Sequence, residues 1–169
     1  MKRFFVLLSI LTVLFGVSQK TLAQVDNYAL EFTSAEGIAN LGKVTGFTDN
    51  GSYTLQFWFC PSEWVKKAPI IRCGTFSVKL GNEHALVIND GTNHLTLTDT
   101  NIAAGKWAHV TIRSNSSTDS TQVIINNTTK YETDKYIAMT ARTKSIWLGG
   151  GFLGRIDEVR LFKKILPTD

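Results

Sequence analysis

Cysteine is scarce in this chain, with two among 169 residues, and no CxxC pair or close His–Cys spacing exists. A thiolate-rich metal site is thereby excluded. The three histidines, His84, His94 and His109, lack the HExxH spacing of a zinc hydrolase. No G-x-S-x-G elbow is present. The run Gly149-Gly150-Gly151 lacks the strand-to-helix setting of a phosphate loop and reads as a turn before the last strand. Helical spacing is nearly absent, and beyond residue 17 no apolar run approaches about 18 residues, the length a membrane helix needs. Neither sign of charge dominates over residues 24–169, which carry 15 bases and 14 acids.

Lys2 and Arg3 precede an apolar run from Phe4 to Val17, and Thr21-Leu22-Ala23 offers a small-residue exit ahead of Gln24. That order of features predicts a cleaved secretory signal over 1–23, with a retained anchor as the alternative. Its removal takes Lys2, Arg3 and Lys20 and leaves 15 bases against 14 acids, a net of +1. Nothing in that balance points to nucleic acid or to an anionic membrane surface. The expected location is outside the cytoplasm: secreted, periplasmic or at the cell surface. There Cys60 and Cys73 are expected to pair as a disulfide, contributing roughly 3 kcal/mol by the loop-entropy estimate. Two buried thiols are the alternative. Asn-x-Ser/Thr sites at Asn50, Asn115, Asn126 and Asn127 mark surface loops.

What the remaining residues, 24–169, carry in abundance is period-two alternation. In SYTLQFWFC, Tyr53, Leu55, Phe57 and Phe59 share one face and Thr54, Gln56, Trp58 and Cys60 the other. TFSVKL, WAHVTIR, TQVII, SIWLGGG and GRIDEVRLF repeat the pattern. ALVI and HLTLT flank Asp90-Gly91 as a hairpin, and Asn126-Asn127 supplies another tight turn. EGIANLG, residues 36 to 42, is expected to manage a helical turn, and IAAGKW a loop. About ten to twelve short strands without a linker or repeat predict one all-β domain, an antiparallel sandwich or barrel.

Four stretches in order carry a resemblance: YALEF (28 to 32), YTLQFWFCPSEW (53 to 64), GKWAHVTIR with TQVIINN (105 to 127), and LGGGFLGRIDEVRLFKKIL (148 to 166). They resemble the laminin-G-like jellyroll domains of the concanavalin A-like lectin/glucanase superfamily. The resemblance covers nearly all of residues 24–169. It departs at Asn127, where the family prefers Gly, and at Cys60, a position not usually Cys. The expected fold is a jellyroll of two curved antiparallel sheets, one convex and one concave.

Enzymes of that superfamily carry alternating carboxylates on one strand, as in E-x-D-x-E. Here Asp157 and Glu158 are consecutive, so they are expected to face opposite sides of the sheet unless a bulge intervenes. A two-carboxylate hydrolase needs both on one side. No catalytic residue is therefore assigned, and the doublet is read as structural. The sharper reading is that Asp157 joins Asp49 at a rim Ca²⁺, an ion that wants six to eight oxygens. The expected function is a non-catalytic recognition module that binds a glycan or a cell-surface protein through the concave face or rim loops. A structural or adhesion spacer is the alternative, and a glucanase the least favoured reading. Trp58 with Gln56, and Trp64 in the following loop, are the candidate ligand contacts, since sugar rings stack on aromatic faces. Trp107 and Trp147 are expected in the core, and His109 in a packing and hydrogen-bonding role.

Overall fold

A computed structural model of the chain describes residues 28–167; the predicted signal segment, 1–23, lies outside them. The strands are β1 (Leu30–Phe32), β2 (Ile38–Gly42), β3 (Tyr53–Pro61), β4 (Pro69–Cys73), β5 (Phe76–Leu80), β6 (Leu86–Asn89), β7 (His94–Leu97), β8 (Ala108–Asn115), β9 (Ser120–Ile125), β10 (Thr129–Thr133), β11 (Ile146–Gly149) and β12 (Gly154–Phe162). They form two six-stranded sheets, ordered β1-β12-β3-β8-β9-β10 and β2-β11-β4-β5-β6-β7. All pairings are antiparallel, giving the two-sheet sandwich expected from the alternation.

Period two decides which side chains fill the space between the sheets. Tyr53, Leu55, Phe57 and Phe59 of β3 are wholly buried there. From the facing sheet, Ile71, Cys73, Phe76, Val78, Leu86, Ile88 and Leu148 join the same core. Each fully buried side chain of this size contributes roughly 1.5–3 kcal/mol by leaving water. The core also has an aromatic seam: Phe59 packs on Phe57 and on Phe152, and Phe152 on Phe32. Buried Tyr53 keeps its hydroxyl satisfied by donating to the Ile137 carbonyl at 3.0 Å.

The turns follow from local chemistry. Asp90 Oδ1 accepts the backbone N–H groups of Thr92 and Asn93 at 2.8 and 2.7 Å, closing the β6–β7 hairpin. Its other oxygen accepts the N–H of Ala138 at 2.8 Å and ties the hairpin to a distant loop. Burial alone would raise this carboxyl, but the N–H donors of Ala138, Asn93 and Thr92 outweigh it and hold Asp90 below its ordinary value. Asn126 and Asn127 adopt φ of 51° and 55° between β9 and β10, as a tight turn requires.

Two expectations are corrected here. Residues 38–42 of EGIANLG form β2 at a sheet edge rather than a helical turn. Cys60 and Cys73 are both buried free thiols, not a disulfide. Cys60 shares the outward parity of Trp58 in the first sheet, whereas Cys73 points into the core from the second. Burial pushes the Cys73 thiol up to about 11, so at neutral pH it is protonated and unreactive.

Candidate functional site

With the inner faces committed to the core, any open site must use outward residues. On the first sheet, register alone aligns Asp157 of β12, Trp58 of β3 and His109 of β8 in one row across three strands. Beside it, Glu31 of β1, Arg155 of β12 and Cys60 of β3 form a second row. Trp107, just ahead of β8, completes the frame. Trp58 and Trp107 are 37% and 38% exposed, which leaves part of each indole open to a ligand. Together with Tyr28, Glu31, Arg155, Asp157 and Glu158 they line a cleft of about 670 Å³.

Each wall is held from below. The Trp58 ring packs on His109 with centroids 4.9 Å apart. His109 is fixed in turn by Asn126, which accepts its backbone N–H at 2.8 Å and donates to its carbonyl at 2.9 Å. Burial lowers the His109 imidazole from its ordinary value, with Arg160 adding to the effect and Glu158 opposing it. It is therefore a neutral ring behind Trp58 at physiological pH, the packing role expected of it. Arg155 sets its guanidinium over Trp107, 5.2 Å from the ring centroid, and its Nη2 reaches Cys60 Sγ at 3.8 Å.

The acidic doublet departs from simple parity. Asp157 pairs with Trp58 and Arg160 with Gln56, so Glu158 and Val159 together stand against Phe57 alone, a β-bulge. Glu158 takes the extra residue's left-handed conformation, φ 47°. Asp157 Oδ1 accepts the Glu158 N–H at 2.7 Å and stabilises the kink. Consequently Asp157 and Glu158 line the same cleft, where opposite faces were expected. The parity argument against catalysis fails for this pair. What remains on that question is setting: Glu158 is 44% exposed and pairs with Arg160 at 3.1 Å, whereas a general-acid carboxyl is ordinarily sunk in an apolar wall.

The other predicted residues fall as follows. Gln56 shares the outer face with Trp58 and donates from Nε2 to Thr111 Oγ1 at 3.4 Å. Thr54, expected on that surface, is buried because the chain after β12 crosses it: its hydroxyl donates to the Lys164 carbonyl and accepts the Leu166 N–H. Trp64 lies outside the cleft, its Nε1 donating to the Gly81 carbonyl at 3.0 Å and its ring tilted against His84 with centroids 4.8 Å apart. Asp49 accepts the Arg142 N–H at 2.8 Å, beyond the Tyr53 end of β3. Asp157 pairs with Trp58, five residues along that strand from Tyr53. Among the described residues no group of three or more His, Cys, Asp or Glu side chains could hold a metal ion. Trp107 and Trp147, expected in the core, are instead on outer faces lining clefts. Parity with His109 would have marked Trp107.

The family model for the Concanavalin A-like lectin/glucanases superfamily matches residues 33–169. The chain belongs to that superfamily. Solved structures agree on the fold. Domain 4 of AbnA, a GH43 extracellular arabinanase from Geobacillus stearothermophilus, solved with arabinotriose, superposes with a TM-score of 0.65 at 18% identity, covering 83% of this chain and 72% of that one. The CBM40 of the Ruminococcus gnavus IT-sialidase gives 0.66 at 12% identity, covering 83% and 92%. The LG1-3 region of the laminin alpha2 chain gives 0.64 at 12% identity, and here the chain spans only 27% of the other's length. No curated protein matches the chain. At such identities the superfamily member shares architecture with these proteins; its site must be read from its own residues.

Proposed function

We propose that this superfamily member is an exported, non-catalytic recognition module that binds a glycan in the Trp58–Trp107 cleft. The observation that carries the reading is two tryptophans, each more than a third exposed, framing one cleft beside Glu31, Arg155, Asp157 and Glu158. Flat aromatic faces stack on sugar rings, and flanking charged groups accept or donate to the hydroxyls. Both walls are braced, Trp58 by His109 and Trp107 by Arg155, so little ordering entropy opposes binding. Gln56 would extend the polar edge of the same site; Trp64 would serve only a separate rim contact. The arabinotriose complex and the CBM40 named above support the reading at the level of fold.

Glycan-array binding by residues 24–169 tests it. Binding lost in Trp58→Ala and in Trp107→Ala, with unfolding curves still cooperative, is the expected result. Silence on glycans would instead favour a spacer or a protein-binding role. One observation favours a second reading, glycoside hydrolysis: the bulge brings Asp157 and Glu158 onto one cleft. Reducing-sugar release abolished by Asp157→Asn or Glu158→Gln would establish it; binding without turnover would dismiss it.

A further inference from the structure

The outer face of the second sheet carries a different chemistry. Register aligns Asn40, Trp147, Arg72, Ser77, Asn89 and His94 in one row across β2, β11, β4, β5, β6 and β7. At its β11–β4 end opens a cleft of about 620 Å³, where Lys43, Arg72 and Lys144 surround Trp147 and the Thr143 and Ser145 residues, and no carboxylate is among the lining residues. Three cations with no carboxylate in the same lining give the concavity a local positive field that favours an anion; Asp49, the acid beside it, is occupied with the Arg142 N–H. Arg72 adds a second sign. Its Nε is buried without a hydrogen-bond partner, and its Nη2 lies over Gly150, where a β-carbon would come within 2.6 Å. Glycine at that position, φ 84°, is what leaves the guanidinium room to lie there.

We infer that this cleft is a second binding site, separate from the Trp58–Trp107 cleft, and that it takes a hexuronate unit of an acidic polysaccharide. A hexuronate bears its carboxylate directly on the ring. Trp147 and Arg72 are directly opposite one another on adjacent strands, so their β-carbons stand about 5 Å apart. A ring lying on the indole therefore brings its own carboxylate to the guanidinium fork, whose planar geometry suits that group. Lys43 and Lys144 meet the charges of neighbouring units. Overall charge does not supply this attraction, since residues 24–169 carry a net of only +1; it is local to the cleft and falls with salt.

Titration calorimetry of residues 24–169 with tetragalacturonate, at two salt concentrations, tests the assignment. Neutral galacto-oligosaccharide, dextran sulfate and single-stranded DNA serve as the other arms. Tetragalacturonate is expected to bind, the neutral sugar not to bind at this site, and the double variant Lys43→Ala/Lys144→Ala to weaken binding about tenfold. These lysines are exposed, so the variant keeps its fold, and Trp147→Ala gives an independent loss. Trp58→Ala should leave uronate binding unchanged, which separates this site from the proposed glycan cleft. The inference is overturned if tetragalacturonate gives no heat, if its affinity survives both Trp147→Ala and the double lysine variant, or if dextran sulfate or DNA binds while tetragalacturonate does not.

Discussion

Replacing Glu158 by glycine should leave the domain as stable as the parent or more so, even though an ion pair is lost. Glu158 holds φ at 47° in the β12 bulge, a conformation that disfavours any residue with a β-carbon by roughly 1–2 kcal/mol. Glycine removes that strain but loses about 0.4–1 kcal/mol through the greater freedom of its unfolded chain. The Glu158–Arg160 pair, at 3.1 Å with side chains 44% and 56% exposed, is screened by solvent and contributes at most about a few tenths of a kcal/mol. Alanine loses the same pair and keeps the strain. Glu158→Gly should therefore exceed Glu158→Ala in stability by about 0.5–1 kcal/mol, several-fold in the unfolding constant. Urea unfolding of the three proteins, with equal m-values, reads the difference. If Glu158→Gly is no more stable than Glu158→Ala, the bulge is not held in solution, and the convergence of Asp157 and Glu158 on the cleft falls with it.

Gly154→Ala should be among the most damaging single changes. A β-carbon there would meet the Cys60 carbonyl oxygen and lie 2.8 Å from the Pro61 Cα at φ 138°, so a loss of more than about 3 kcal/mol, or failure to fold, is expected in thermal unfolding. Asp90→Ala removes the acceptor of three backbone N–H groups and should lose about 2–3 kcal/mol at neutral pH. Because the folded Asp90 carboxyl sits below its ordinary 3.8, its contribution is complete above that value and disappears as pH falls through the folded pKa. The variant's acid unfolding curve should be correspondingly flatter. His109, lowered from 6.5 by burial, binds a proton more readily unfolded, so stability should fall as pH drops from about 6.5 through the folded value. A His109→Phe variant that keeps the same slope would show that another group is responsible.

The strands and their faces were largely legible because alternation is a local property. SYTLQFWFC alone places Phe57 and Phe59 inward and Gln56 and Trp58 outward, and β3 does so. The hairpin at Asp90 and the turn at Asn126-Asn127 were equally local. What escaped depended on partners distant in sequence. Cys60 and Cys73 belong to different sheets with different orientations, which no spacing reveals. Trp107 and Trp147 sit in motif stretches that read as core, yet their exposure depends on which strands flank them. The bulge was the hardest to see. A glycine at its left-handed position would have signalled it, but Glu158 occupies that position.

The bulge also sets the charge of the first sheet's outer surface and so its contrast with the second. A regular strand spends alternate residues on the core, so β12 would otherwise offer only Arg155, Asp157 and then every second residue outward. The extra residue adds Glu158 to the outer set while returning Leu161 to register with Leu55 on the inner face. The first-sheet cleft thereby gathers Glu31, Asp157 and Glu158 against Arg155, whereas the second-sheet cleft holds Lys43, Arg72 and Lys144 with no carboxylate. The two clefts open on the outer faces of different sheets, and through the solvent around them the screening length is only about 8 Å in physiological salt, so each ligand meets chiefly the charges of its own cleft. The two proposed sites thus differ in the charge they would accept, neutral sugars at the Trp58–Trp107 cleft and anions at the Trp147 cleft, a division that the near-zero net charge of residues 24–169 conceals.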